Sequence, residues 1–164
     1  MNDIQSPLKF SQVVWSPIIL LIIGVGLSFF VGNWTWQGFL GIFAVPAGLI
    51  LGLGIYALGY FISTSPRLVS AAMHNLLQSL HYLFQNLSWA QMVILSILAG
   101  VGEELLIRGV LQSWLVATTT PLVGIIVASL IFGLLHYMAR IYIIFTFAIG
   151  LLFGLAFHFS NSLV

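Results

Sequence analysis

The chain has no cysteine and almost no charge. Without cysteine there can be no disulfide, no thiolate nucleophile and no sulfur-ligated metal, so His, Glu, Asp, Asn and Ser must supply any chemistry. Charged residues make up 4% of the 164 positions, against about a quarter in a soluble domain. With 61% of residues hydrophobic, the chain is a membrane protein. A formal net charge of +1 and the lack of any Lys/Arg run exclude a nucleic-acid surface. The segment Met1 to Ser16 is polar, carries Asp3 and Lys9, and has no signal-peptide pattern, so the first apolar run reads as a retained span.

What is present is a series of long apolar runs without strand-like alternation, which predicts helices rather than a barrel. Ser16-Pro17 reads as a helix start with Ser as N-cap and Pro at the first helical position, opening a span over Ile18 to Val31. Trp34 and Trp36 follow as interfacial anchors. Gly38 to Ile62 reads as a second span, kinked or closely packed at Pro46 and its glycines. In Leu68 to Leu87 the leucines recur at helical spacing beside Asn75, Gln78, His81 and Gln85, which predicts an amphipathic helix in the interface. Ser88-Trp89 caps a third span, from about Ala90 to Val116. Pro121 opens a fourth, to about Tyr137, and Ile141 to Phe157 forms a fifth.

The expected fold class is therefore all-α: a polytopic helical membrane protein of about five transmembrane helices plus one amphipathic interfacial helix. Residues 1–15 form a polar N-terminal segment, 16–87 the N-terminal membrane helices with the interfacial helix, and 88–164 a core carrying the polar motifs. Lys9, Arg67 and Arg140 fall in short connections separated by even numbers of spans, so the positive-inside rule places all three, and the N-terminus, on the cytoplasmic side.

Three of the seven charged side chains, Glu103, Glu104 and Arg108, lie within six positions of one apolar helix. A charge at bilayer mid-depth costs about 2.5–3.5 kcal/mol on insertion scales, which makes this cluster a functional-site candidate. Glu104 and Arg108 are i,i+4 and share a helix face, where a salt bridge forms readily. Glu103 points about 100° away and is left to face a cavity. A carboxylate in low dielectric without a full partner is a good proton acceptor, which suits a general base acting on water. A structural polar knot between helices is the alternative reading. His136, near the end of the following helix, is i,i+4 to Phe132, and Glu plus His is a minimal set for activating water, with or without a metal. His74 and His81 read as headgroup-facing, His158 as interfacial, and no His-Glu-x-x-His zinc motif occurs.

The order Glu103-Glu104-x-x-x-Arg108 on one apolar helix and Phe132-x-x-x-His136 on the next resembles the CAAX protease and bacteriocin-processing (CPBP, Abi-like) family of intramembrane peptidases, which includes the type II CAAX prenyl endopeptidases. The resemblance covers Ser88 to about Val164. It implies that Glu103 works with His136 to activate the attacking water, that Glu104 belongs to the same catalytic set, and that Arg108 and Phe132 support the site. Because the family is grouped with metalloproteases, zinc is a candidate cofactor. Its ligands would be Glu103, Glu104 and His136, although Glu104 looks committed to Arg108 and the metal-free version is favoured. The family's third motif, His-x-x-x-Asn, would stabilise the oxyanion. Here His158 is followed by Asn161 and Ser162, so His158-x-x-x-Ser162 is the closest literal match. Ile141–Phe157 reads instead as the span before that motif, and His158 to Val164 as the turn after it. The sequence is thus expected to be truncated before the third-motif helix. Loss of an oxyanion donor typically lowers rate about 10²–10³-fold, so weak or absent activity is expected.

The resemblance implies an endopeptidase that hydrolyses a peptide bond in a membrane-anchored, CAAX-type protein or peptide. Composition sets the chain in a membrane as an integral, multi-pass protein, and the absence of a eukaryotic sorting signal points to a bacterial plasma membrane. The expected partners are the lipid bilayer and that substrate, with no nucleic acid. A non-enzymatic protein on the same scaffold, such as an immunity or partner-binding factor, is the competing reading. An ion pathway is a third, and the first two spans carry no ionisable residue that would extend one.

Overall fold

The computed structural model describes residues 7–31, 44–64, 71–137 and 140–160. Six helices cover nearly all of them, and no strand occurs among the described residues. They are α1 (Phe10–Val31, with a turn at Val14), α2 (Ala44–Thr64), α3 (Ala71–Phe84), α4 (Trp89–Thr118), α5 (Pro121–Leu135) and α6 (Arg140–Ser160). Helices α1 and α4 and the stretch Tyr142–Ser160 of α6 are long and apolar enough to cross a membrane, and Gly48–Phe61 of α2 and α5 are shorter apolar helices. The protein is an all-α integral membrane protein. Its outward surface carries large apolar side chains such as Ile22, Phe29, Leu53, Ile97, Leu122 and Ile144, which need lipid or protein around them.

Several boundaries differ from the sequence expectation. Ser16 does not cap α1, because the helix is already running from Phe10, and the Lys9 backbone N–H instead donates to Gln12 Oε1 at 2.7 Å. The last helix starts at Arg140 and continues through His158 to Ser160, so His158 is helical rather than the start of a turn. The expected anchors Trp34 and Trp36, together with Arg67, Asn161 and Ser162, lie outside the described residues.

Other boundaries follow local chemistry. Ser88 and Gln91 cap α4 reciprocally: Ser88 Oγ accepts from Gln91 N at 3.3 Å, and Gln91 Oε1 accepts from Ser88 N at 2.9 Å. Thr120 Oγ1 accepts from Val123 N at 3.3 Å and Pro121 occupies the first turn of α5, where its missing N–H leaves no bond unmade. Helix α3 pairs His74 with Gln78, whose amide lies 2.9 Å from His74 Nε2. Its last turn receives the Leu8 N–H at the Leu83 carbonyl, so the segment before α1 and α3 meet.

Close approach at glycine holds the bundle together. A Cβ at Gly102 of α4 would lie 3.0 Å from Leu21 N, and one at Gly24 of α1 would lie 3.1 Å from Leu105 Cβ. In the α5–α6 hairpin, a Cβ at Gly133 would lie 3.1 Å from the Ile143 carbonyl oxygen and one at Gly150 would lie 3.1 Å from Ser129 Cβ. Small residues allow this, because in lipid helices associate through van der Waals contact rather than water expulsion. The apolar core, Ile107, Ala128 and Phe132 with Leu111 and Leu115, lies between α4 and α5.

Candidate active site

Within α4, Leu105–Gln112 is π-helical, and the Ser113 hydroxyl donates to the Arg108 carbonyl five residues back, at 3.0 Å. A π-turn carries more residues per turn than an α-turn, so side chains four apart come nearly onto one line, and such turns recur at functional sites. Here the widened turn follows immediately on Glu103 and Glu104. It directs Arg108 and Gln112, both almost fully buried, toward α6.

Arg108 has no exposed surface, and three neighbours surround it. Its Nε lies 3.5 Å from Glu104 Oε2, its Nη2 donates to the Gly150 carbonyl at 3.3 Å, and its guanidinium covers the Phe132 ring at 4.7 Å from the centroid. The expected division of the two carboxylates is thus present in geometry: Glu104 is engaged by Arg108, and Glu103 faces elsewhere.

Glu103 faces His136. Its Oε1 lies 3.8 Å from His136 Nε2, and both side chains remain partly accessible, at 29% and 26%. His136 ends α5, where the last carbonyls lack intrahelical donors. One of these, on Phe132, lies 2.9 Å from His136 Nδ1. A carbonyl can only accept, so Nδ1 carries the proton, and in the neutral ring Nε2 presents a lone pair to Glu103. Phe132 also packs on the imidazole, with ring centroids 4.5 Å apart, and Tyr142 of α6 lies edge-on to it at 6.3 Å. Carbonyl, Phe132 and Tyr142 together leave the histidine little freedom to turn.

Two acceptors, a carboxylate oxygen and an imidazole nitrogen, therefore face each other across a gap too wide for a direct hydrogen bond. A water molecule beside them can donate to either, and a proton can pass between them. A catalytic zinc normally takes three protein ligands and keeps one position for water. Among the described residues no three His, Asp or Glu side chains converge, and Glu104 is turned to Arg108. The residues present do not fit a zinc, and no chemistry is routed through one here.

Residues 85–164 match the family described as type II CAAX prenyl endopeptidase Rce1-like. The match, which covers just under half of the chain, supports membership of the CPBP family. All five residues just described, Glu103, Glu104, Arg108, Phe132 and His136, lie inside the matched segment. No curated protein and no solved structure matches the chain.

His158 is not brought to this cluster. It sits on α6 beyond Gly154, about 24 Å along the axis from Tyr142 at 1.5 Å per residue, with its ring edge-on to Phe159 at 5.4 Å. Sequence reasoning missed Tyr142, Gln112 and the pair Gly150/Gly154. The glycines had a legible signal, since small-x-x-x-small spacing marks close helix contact. Tyr142 and Gln112 had none beyond being polar in apolar runs.

Proposed function

We propose that this CPBP-family chain is an intramembrane endopeptidase that hydrolyses a peptide bond in a membrane-anchored, CAAX-type protein or peptide. The observation that carries this reading is the placement of Glu103 Oε1 opposite His136 Nε2 at 3.8 Å, with the histidine tautomer fixed by the Phe132 carbonyl. Peptide hydrolysis needs a base for water and a route for that proton to the leaving amine. Glu103 takes one proton as the water oxygen attacks the carbonyl carbon, giving a tetrahedral oxyanion. The proton then reaches the amide nitrogen directly or through His136, the C–N bond breaks, and a carboxylate and an amine leave. Arg108 holds Glu104 away from this exchange and keeps Phe132 under the imidazole.

The same reading orients the chain. The α4–α6 pair runs parallel, because Arg108 and Gln112 reach Gly150 and Gly154 in register. A span order of in-to-out for α4, back for α5 and out again for α6 gives that direction. With the positive-inside rule choosing that order over its inverse, the α5–α6 connection, Lys9 and α3 fall on the cytoplasmic side. A prenylated C-terminal peptide would enter from that side.

The test is cleavage of an internally quenched peptide ending in a farnesylated CAAX sequence, mixed with the purified chain in lipid vesicles made up in H₂¹⁸O. The expected result is a single cut, with one ¹⁸O in the new carboxylate by mass spectrometry. No cleavage of the farnesylated peptide by the intact chain removes the proposal.

A further inference from the structure

Gln112 belongs to none of the polar motifs, yet its side chain is only 1% exposed. Its Nε2 donates to the Gly154 carbonyl at 2.9 Å, and Arg108, four residues earlier on the π-helical segment, donates to the Gly150 carbonyl at 3.3 Å. Each bond spans 42 residues, so the two form parallel rungs between α4 and α6. The rail they grip is Gly150-Leu-Leu-Phe-Gly154. At Gly154 a Cβ would come 2.9 Å from Gln112 Oε1 and 3.1 Å from Ile125 Cγ2, so the second rung depends on glycine there.

Packing alone does not account for a glutamine at this place. Gln112 Oε1 is buried with no hydrogen-bond partner. A buried acceptor left unpaired costs at least as much as one neutral hydrogen bond contributes, so an unbranched apolar side chain would serve stability as well or better. What the amide supplies is direction, because it fixes the height and rotation of the π-helical turn against α6. That turn carries Arg108, which covers Phe132, and the Phe132 carbonyl holds His136 opposite Glu103.

We infer that Gln112 is a positioning residue for the Glu103–His136 pair, acting as the second rung of a side-chain-to-carbonyl ladder on Gly150 and Gly154. Its bearing on catalysis rests on the endopeptidase reading above; its bearing on the geometry of the pair does not.

The test is Gln112→Met in the full chain, labelled with ¹⁵N-histidine and reconstituted in vesicles. Three readouts are taken: the melting temperature, the His136 ring-nitrogen resonances, and turnover of the farnesylated quenched peptide. The expected result is a melting temperature equal to or above that of the unsubstituted chain, with shifted His136 resonances. A kcat lower by roughly tenfold to a hundredfold, with KM unchanged, is expected beside it, as for a misplacement remote from the chemistry. The His136 resonances decide, because a purely structural role would move only the melting temperature; unshifted resonances overturn the inference. Gly154→Ala, which presses a Cβ on Oε1, gives a second approach should Gln112→Met fail to fold. It should shift His136 in the unsubstituted background and add little in a Gln112→Ala background, and equal shifts in both backgrounds overturn the inference. If the resonances shift but even the unsubstituted chain leaves the peptide intact, the endopeptidase reading fails and the positioning role stands. If the unsubstituted chain cleaves and Gln112→Met matches it with unshifted resonances, the reverse holds.

Discussion

The guanidinium of Arg108 lies over the ring of Phe132, 4.7 Å from its centroid, and so joins the two motif helices at their most buried point. On its other edges the same side chain meets Glu104 and the Gly150 carbonyl. One buried cation thereby ties α4, α5 and α6 together, and the partly exposed pair Glu103–His136 sits at the margin of this knot. Of Glu103, Glu104, Arg108 and His136, only Arg108 is fully buried. Glu104 is about as accessible as Glu103 and His136, and the two carboxylates differ in partner rather than in burial.

Glu103→Gln keeps the size of the side chain and breaks no direct hydrogen bond to His136, so the fold should be retained. A glutamine cannot accept the proton of an attacking water. Cleavage of the farnesylated peptide should fall by about 10²–10⁴-fold, the usual contribution of a positioned general base. The melting temperature should stay close to that of the unsubstituted chain. Turnover surviving at the original rate would move the base to another residue.

Much of this arrangement was legible in the sequence. The i,i+4 spacing predicted the Glu104–Arg108 pair, and the 100° offset sent Glu103 to a different face, where it meets His136. The apolar runs predicted the helices, and Ser88 and Pro121 marked two of their starts. The π-helical segment was not legible, since nothing in Leu105–Gln112 distinguishes it from an α-helix until it packs. Gln112 escaped for the same reason, because its role depends on a carbonyl 42 residues away. The start of α1 was misjudged, since Ser16-Pro17 fits a helix opening locally while the chain upstream is already helical.

Phe132→Leu removes a buried ring that faces a guanidinium on one side and an imidazole on the other. The loss of the desolvated cation–π contact and of some core volume should destabilise the protein by about 1–3 kcal/mol. The imidazole also loses the surface that limits its rotation, so turnover should fall by about tenfold with KM less affected. Thermal unfolding and steady-state kinetics of the reconstituted variant check the two effects separately. A variant with ordinary kinetics would show that the Phe132 carbonyl alone orients His136.

Arg108→Ala leaves Glu104 without its partner and removes the bond to Gly150. Breaking a buried pair from one side costs about 3–5 kcal/mol, and the partial exposure of Glu104, at 25%, places the expected loss near the lower end. Arg108→Lys should fall between, since it keeps the charge but loses the planar contact with Phe132 and the forked donors. Replacing both members, with Glu104→Gln and Arg108→Met, removes the stranded charge and should recover most of the stability lost in Arg108→Ala. If the double substitution is as unstable as the single one, packing around Arg108 rather than its charge holds the three helices.

Gly124→Ala tests the helix contacts without touching the site. A Cβ at Gly124 would meet Val116 Cγ2 and lie 2.9 Å from the Val116 backbone nitrogen, so α5 must move off the end of α4. A backbone neighbour cannot yield as a side-chain tip can, and overpacking of this kind typically costs about 1–3 kcal/mol. Gly26→Ala on α1 is the matched control, because a Cβ there meets nothing within 4 Å, and alanine is the better helix former. Melting of the two variants in identical vesicles should show Gly124→Ala clearly destabilised and Gly26→Ala unchanged or slightly stabilised. Equal behaviour would mean that α5 can slide along α4 at little cost, and that the ladder on Gly150 and Gly154 alone holds the register of the site.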